Sequence, residues 1–449
     1  MAIAAPPDPA PPATKPPARE TPPPAPRYPW RIIAALAVLV VAAAAIAATL
    51  SWRQNTPMDD SIELAVVYSP DQDAEDFLAG VRIAIAQVNA DGGILGYPVS
   101  ERLFMEPAYT DQVQLDKLVA QTLRQATKIG EMPEVLAVIG HGSSVTAVPA
   151  SAVYDRHGKL FLATHATATS LSNHRLDLTF ALQPSNADNA AVLAEYAHSQ
   201  GWKRMVVLSD NSSYGQETTD RFRSALAQQG GAILHRDRLA GSKSIDDLLL
   251  FLLDNTLFKA SDIDAFFLTS SSMSDSANFI ARARQLGLTM PILGPEYLYS
   301  NEVEGQAGAD AMRNVVTVSL FDDGQLTPEG LRLRDDFSRI ADHPPGQLAA
   351  IGFDAVKVLA IATNRTGKRD AAAIADTLRI LRYEAPFIGA TGKMVFDANG
   401  LITDTVAYVL RHDGIEFKAV AAYKKPLNRQ QQDDAAQTPS GPAASERKP

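Results

Sequence analysis

Between Ser61 and about Tyr423, short apolar runs alternate with amphipathic stretches of helical period, and this alternation constrains the fold more than any other feature. The expected strands are Ile62–Tyr68, Val135–Gly140, Lys159–Ala163, Arg204–Ser209, Asp264–Thr269, Pro291–Gly294 and Asn314–Leu320. Their near-continuous apolar character suits parallel strands covered on both faces. In Asp73–Asn89, Phe77, Val81, Ile85 and Val88 recur at spacings of 4, 4 and 3, which gives a helix with one core face. A second helix is expected from about Ala187 to Gln200, ending at Gly201. Strand and helix in regular succession mean an α/β fold. Some 360 residues exceed what one sheet usually organises, so two α/β lobes are expected.

The flanks differ. Residues 1–30 hold 12 of the 29 prolines and read as an extended tail. Ile32–Leu50 contains no charge, glycine or proline over 19 residues; as a helix it would span roughly 28 Å, close to the thickness of a bilayer core. Trp30 and Trp52 flank it, and Lys15, Arg19, Arg27 and Arg31 precede it. The positive-inside rule then puts residues 1–30 in the cytoplasm, a single transmembrane anchor at 31–51, a linker at 52–60 and everything later outside. A cleaved signal peptide is the alternative, although both the charged and the apolar regions are long for one. Residues 424–449 read as a disordered tail.

Composition excludes several classes of function. There is no cysteine, hence no disulfide, thiolate metal site or cysteine nucleophile. Formal net charge is -10, and with both termini slightly basic the body between them carries about -14. Such a body is a poor partner for nucleic acid. The first strand runs into Ser69-Pro70-Asp71-Gln72-Asp73, acidic and without the glycines of a dinucleotide fingerprint. No G-x-S-x-G elbow is present, and the eight histidines show no metal-ligand spacing. Neither cofactor, metal nor catalysis is expected.

Binding is the better reading. Gly140-His141-Gly142-Ser143-Ser144-Val145-Thr146 leads from a strand into a helix, so Ser143 and Ser144 would place hydroxyls and free N–H groups where a carboxylate could sit. Simple helix capping is the alternative. Thr164-His165-Ala166-Thr167-Ala168-Thr169-Ser170 ends the next strand with the same chemistry, and ligands of open α/β sheets lie outside such strand ends. His141 and His165 are both expected to face the cleft. Tyr214, in Asp210-Asn211-Ser212-Ser213-Tyr214-Gly215, and Glu296, in Leu293-Gly294-Pro295-Glu296-Tyr297, follow later strands and could meet a ligand ammonium; a solvated loop glutamate is the alternative.

Taken in order, Gln87-Val88-Asn89-Ala90-Asp91-Gly92-Gly93-Ile94-Leu95-Gly96, Val138-Ile139-Gly140-His141, Ser213-Tyr214-Gly215, Gln285-Leu286-Gly287-Leu288, Gly294-Pro295-Glu296 and Gly352-Phe353-Asp354-Ala355-Val356 form a pattern. From about Ile62 to Val420 the chain resembles the type I periplasmic binding proteins of ABC transporters, in the leucine/isoleucine/valine-binding branch. The resemblance implies two Rossmann-like α/β lobes joined by three crossing segments: 61–179 with 316–390, and 183–313 with 391–423. It also implies a ligand carboxylate held by Ser144 and by the His165, Ala166 and Thr167 loop, and an ammonium held by Glu296 beside Tyr214. Thr164-His165 stands where the family commonly has Pro-Ala, and Thr269-Ser270-Ser271-Ser272-Met273 lacks an aromatic that some members place against the ligand.

The expectation is therefore an extracytoplasmic solute-binding protein, anchored in the inner membrane with its C-terminal domain in the periplasm. It would capture an amino acid or related small polar ligand (an amide or small carboxylate) by lobe closure and deliver it to an ABC permease. The alternative is an anchored periplasmic sensor or scaffold of the same fold that binds a protein partner.

Overall fold

The computed structural model describes residues 61–70, 74–106, 115–173, 176–239, 241–254 and 258–424. They fall within one structural unit, Asp60–Pro449. In chain order the first lobe opens with β1 (Ile62–Tyr68), α1 (Ala74–Ala90), β2 (Val99–Met105), α2 (Leu115–Gly130), β3 (Val135–Gly140), α3 (Ser144–Arg156), β4 (Leu160–Ala163) and β5 (Thr179–Ala181). These strands form a parallel sheet in the order β2-β1-β3-β4-β5. Along β1, Ile62, Leu64 and Val66 enter one core and Ala65 and Val67 the other, so period-2 alternation serves two apolar faces at once. The residues picked out by helical spacing, Phe77, Val81, Ile85 and Val88, are all buried in the first of these cores.

The chain then crosses to the second lobe: α4 (Asn186–Ser199), β6 (Arg204–Ser209), α5 (Ser213–Gln228), β7 (Ala232–Arg238), α6 (Gly241–Leu253), β8 (Ala265–Thr269), α7 (Met273–Gln285), β9 (Ile292–Leu293), α8 (Asn301–Ala307) and β10 (Val315–Ser319). It returns to the first lobe for α9 (Pro328–Phe337), α10 (Gln347–Thr366), α11 (Ala371–Ile380) and a small antiparallel sheet of β11 (Phe387–Gly389), β12 (Gly392–Phe396) and β13 (Ile402–Thr403). A third crossing leads to β14 (Val406–His412) and β15 (Phe417–Lys424), which add antiparallel to the second sheet, in the order β15-β14-β10-β9-β8-β6-β7. Here Val206, Leu208, Phe266 and Leu268 pack toward α6 and α7, while Met205, Val207, Ala265 and Phe267 pack toward α4 and α5.

In the first lobe, α1 and α10 approach until backbone meets backbone. A Cβ on Gly80 would lie 2.0 Å from the Ala349 carbonyl oxygen, and one on Gly352 would lie 2.7 Å from that of Phe77. This pair carries much of the core that fixes the lobe's outer layer.

The lobe boundaries implied by the resemblance shift at two places. The stretch from Val316, expected in lobe one, is β10 of the second sheet, where Val316 and Val318 pack in the core with α4. The stretch from Thr391, expected in lobe two, stays with lobe one through β13, because Met394, Phe396 and Ile402 are buried in the core that holds α1 and α10. The crossings therefore run at about 182–185, 320–327 and 404–405. Gln347 ties two of them together: its Oε1 accepts the Leu320 N–H at 2.6 Å and its Nε2 donates to Gln183 Oε1 at 3.1 Å.

The anchor read at residues 31–51, the proline-rich tail and the C-terminal tail after Lys424 lie outside the described residues. Among the described residues no helix is long and apolar enough to cross a membrane.

Candidate functional site

The wall from lobe one is built at the ends of β3 and β4. Gly140 adopts φ 128°, and an added Cβ would sit 1.9 Å from the Val67 carbonyl oxygen, so the strand can leave the sheet here only with glycine. The chain turns through Gly142 and Ser143 into α3. Ser143 occupies the N-cap but makes no side-chain cap, so the positive end of α3 opens on the cleft that Gly142, Ser143 and Ser144 line. Ser144 Oγ accepts the N–H groups of Thr167 (3.3 Å) and Ala168 (3.2 Å), which locks the two expected ligand loops together.

Ala166 and Thr167 are buried beneath the cleft rather than lining it. The Thr167 hydroxyl donates to Asn186 Oδ1 at 2.6 Å, at the start of lobe two. His165 does line the cleft, with Nδ1 against the Thr164 hydroxyl at 2.8 Å and its ring edge-on to Phe77 at 4.7 Å. Burial pushes its imidazole down to about 4, so it is neutral at neutral pH. His141, expected to face the cleft, does not. It is fully buried between Glu106 and Tyr154, because its ring turns inward where a carboxylate and a phenol can satisfy both nitrogens.

The wall from lobe two contributes Tyr214, Ser270, Ser271, Met273, Glu296 and Tyr297. Ser212 caps α5 by accepting the Gly215 N–H at 2.9 Å, which brings Tyr214 to the cleft on the first turn. Glu296 opens a 3₁₀ turn directly after Pro295, at the end of β9. Burial raises its carboxyl to about 7, against the opposing hydrogen bond from Asn189 Nδ2 at 3.0 Å. The Tyr214 phenol is raised well above its ordinary value by burial and then by the Glu296 charge, which marks the two as neighbours in one apolar wall. Tyr297 lies edge-on to Tyr214 at 6.4 Å and anchors its hydroxyl on Ser276 at 3.1 Å.

Together the walls line one cleft between the strand ends of the two lobes. Ser143, Ser144, His165, Tyr214 and Glu296, singled out from sequence, are thus brought together from four separate loops. Sequence reading missed Tyr299, Gln183, Gln347 and Leu348. Tyr299 follows the Gly-Pro-Glu run and could have been included with it. Gln183, Gln347 and Leu348 sit beside crossing segments, where no local motif marks them. Among the described residues, none that lines the cleft is a lysine or arginine.

Two lobes, three crossings and a cleft between strand ends describe an architecture that the comparisons identify. Residues 69–414 match the family described as periplasmic binding protein. The chain belongs to the type I periplasmic binding proteins, in the leucine/isoleucine/valine-binding branch. Among curated relatives, this periplasmic binding protein is 24% identical over 338 residues to an amino acid binding protein of Pseudomonas aeruginosa, covering 74% of the present chain and 85% of the relative. Among solved structures, an ABC transporter substrate-binding protein from Desulfitobacterium hafniense in complex with Leu is 26% identical, with a TM-score of 0.66, over 80% of this chain and 100% of that one. A solute-binding protein from Rhodopseudomonas palustris, in complex with 3,4-dihydroxybenzoic acid, has a TM-score of 0.69 at 15% identity over 83% and 99%. At that distance the likeness concerns the fold alone.

Proposed function

We propose that this periplasmic binding protein captures a single L-amino acid, with an aliphatic side chain as in the relatives named for leucine, isoleucine and valine, and presents it to an ABC permease. The observation that supports this most is the opposed chemistry of the two walls. The uncapped start of α3, with Ser143 and Ser144, suits a carboxylate on lobe one, and Glu296 suits an ammonium on lobe two. A zwitterion placed between them engages both lobes at once and so favours the closed arrangement. Thr167 serves from below, its N–H holding the Ser144 hydroxyl in place. Tyr214, Met273, Tyr297 and Leu348 supply apolar surface for a side chain.

Contacts across the cleft favour closure as well. Glu217 on α5 accepts the Thr169 N–H at 3.1 Å, and Asn301 on α8 donates to Asp76 on α1 at 3.3 Å. The nonpolar stretch at residues 32–50, between Trp30 and Trp52, supports membrane anchoring of the binding domain outside the cytoplasm. Thermal unfolding of the full chain against a panel of L-amino acids, amides and small carboxylates tests the reading. A ligand at 100 times its Kd stabilises the fold by about 2.7 kcal/mol. A shift with neutral amino acids is expected; a folded sample that none of them stabilises would overturn it.

A further inference from the structure

We propose that Glu106 and Asp210, one buried beneath each wall of the cleft, are positioning residues that shape the ligand loops and make the cleft select against anions. The inference rests on the amino-acid reading above.

Glu106 follows the edge strand β2 and is 2% exposed. One carboxylate oxygen accepts the N–H of cleft-lining Gly142 at 2.6 Å, and the other faces His141 Nδ1 at 2.7 Å. His141 Nε2 meets the Tyr154 hydroxyl at 2.9 Å. Burial, reinforced by Glu106, raises the Tyr154 phenol, which keeps its hydroxyl proton beside Nε2. One oxygen of Glu106 thus meets a backbone N–H and the other a ring nitrogen. The same unit pins His141 at φ 37°, an uncommon conformation for a residue with a side chain, directly before the turn into α3.

Asp210 is its counterpart in lobe two, also 2% exposed. Oδ1 accepts the N–H and hydroxyl of Ser212 at 3.1 and 2.5 Å; Oδ2 accepts the Ser270 hydroxyl at 3.2 Å and the Ser271 N–H at 2.5 Å. Ser270 and Ser271 line the cleft. Gly215 makes room for this carboxylate, since a Cβ there would lie 2.2 Å from Oδ1. Each acid thus holds a cleft loop by its backbone N–H groups.

The consequence is electrostatic. Glu296 lines the cleft, Glu106 and Asp210 lie behind its walls, and the described lining residues offer no lysine or arginine and one helix end able to take a single negative group. A zwitterion is satisfied there. A second carboxylate on the ligand finds no cationic partner among the described lining residues, and a carboxylate without an ammonium leaves Glu296 unpaired.

Calorimetric titration of the full chain with L-leucine and L-glutamate, for the wild type, Glu106→Gln and Asp210→Asn, with Tm recorded alongside, tests this. The wild type should prefer L-leucine by roughly 100-fold or more, and each substitution should weaken L-leucine by about tenfold and narrow the leucine-to-glutamate ratio by about tenfold. A lowered Tm with an unchanged ratio would mean a merely structural role and overturn the proposal. So would a wild type that binds both ligands equally, a result that leaves the amino-acid reading standing. A wild type that binds neither these nor any other neutral L-amino acid overturns that reading and this inference with it. If one variant fails to fold, the other carries the test, and the wild-type ratio decides independently of both.

Discussion

The Glu296 carboxylate is held by Asn189 at 3.0 Å, in a cleft shared with the start of α3 and, among the described residues, lined by no lysine or arginine. A half-buried carboxylate whose side-chain partner is one neutral amide is an incomplete arrangement, which a ligand ammonium would complete.

Replacing this group should therefore cost affinity rather than stability. Glu296→Gln keeps the shape and removes the charge, and is expected to weaken binding of a neutral L-amino acid by about 2–4 kcal/mol, the scale for leaving one member of a buried charge pair alone. Titration calorimetry reads this directly. An unchanged Kd would remove Glu296 from the ligand site.

The same residue sets a pH dependence. With its carboxyl raised to about 7 in the free protein, Glu296 is partly protonated at neutral pH, whereas an ammonium partner requires it ionised and lowers its pKa in the complex. Affinity should thus be constant well above pH 7 and fall by up to about tenfold per unit as pH drops below 7. From this group alone, the stability of the free protein runs the other way, because an acid whose pKa is raised on folding favours the fold at lower pH. Titrations from pH 5 to 9 should show the decline in the wild type and lose it in Glu296→Gln.

Much of this arrangement is legible in the chain, for a physical reason. Strands buried on both faces are written as continuous apolar runs, and β1, β3 and β6 have the bounds that such runs mark: Ile62–Tyr68, Val135–Gly140 and Arg204–Ser209. Edge strands are written differently. β2 carries Ser100, Glu101 and Arg102 on a half-exposed edge, where Arg102 bridges Glu63 and Glu134, and β7 ends in His235-Arg236-Asp237-Arg238. Neither looks apolar, and both escape notice. Ser144 and Glu296 are visible because each follows a buried strand at a turn with its own chemistry. Gln183 and Gln347, 164 positions apart, have no such signature, since only the crossings bring them to 3.1 Å. His141 shows the converse failure: a polar residue in a cleft loop points inward because Glu106, distant in sequence, is there to receive it.

Ser144 should matter to the fold as well as to the ligand. Its Oγ is the acceptor for two buried N–H groups, those of Thr167 and Ala168. Ser144→Ala leaves both without that partner and is expected to lower the unfolding free energy by about 2 kcal/mol in urea, in addition to weakening ligand binding. Loss of affinity with unchanged stability would mean that the two loops are held together by something else.

Two glycines separate close approach from backbone preference. At Gly140 a Cβ would meet the Val67 carbonyl oxygen at 1.9 Å as well as a φ of 128°, whereas at Gly92 the φ is 105° and the space is open. Gly140→Ala should cost about 3 kcal/mol or more, by clash and strain together, and Gly92→Ala only about 1 kcal/mol. Chemical denaturation of the two variants side by side checks the ordering. Equal losses would mean that the end of β3 can yield.

Under the proposed function the ligand is held at both ends, by the α3 terminus on lobe one and by Glu296 on lobe two. Calorimetric titration of the full chain with L-leucine, 4-methylpentanoate and 3-methylbutylamine measures each end separately. Binding of L-leucine with a loss of roughly 100-fold or more for both truncated ligands is the predicted result. Comparable affinity for either truncated compound and for L-leucine would contradict it, since one of the two walls would then contribute nothing to recognition.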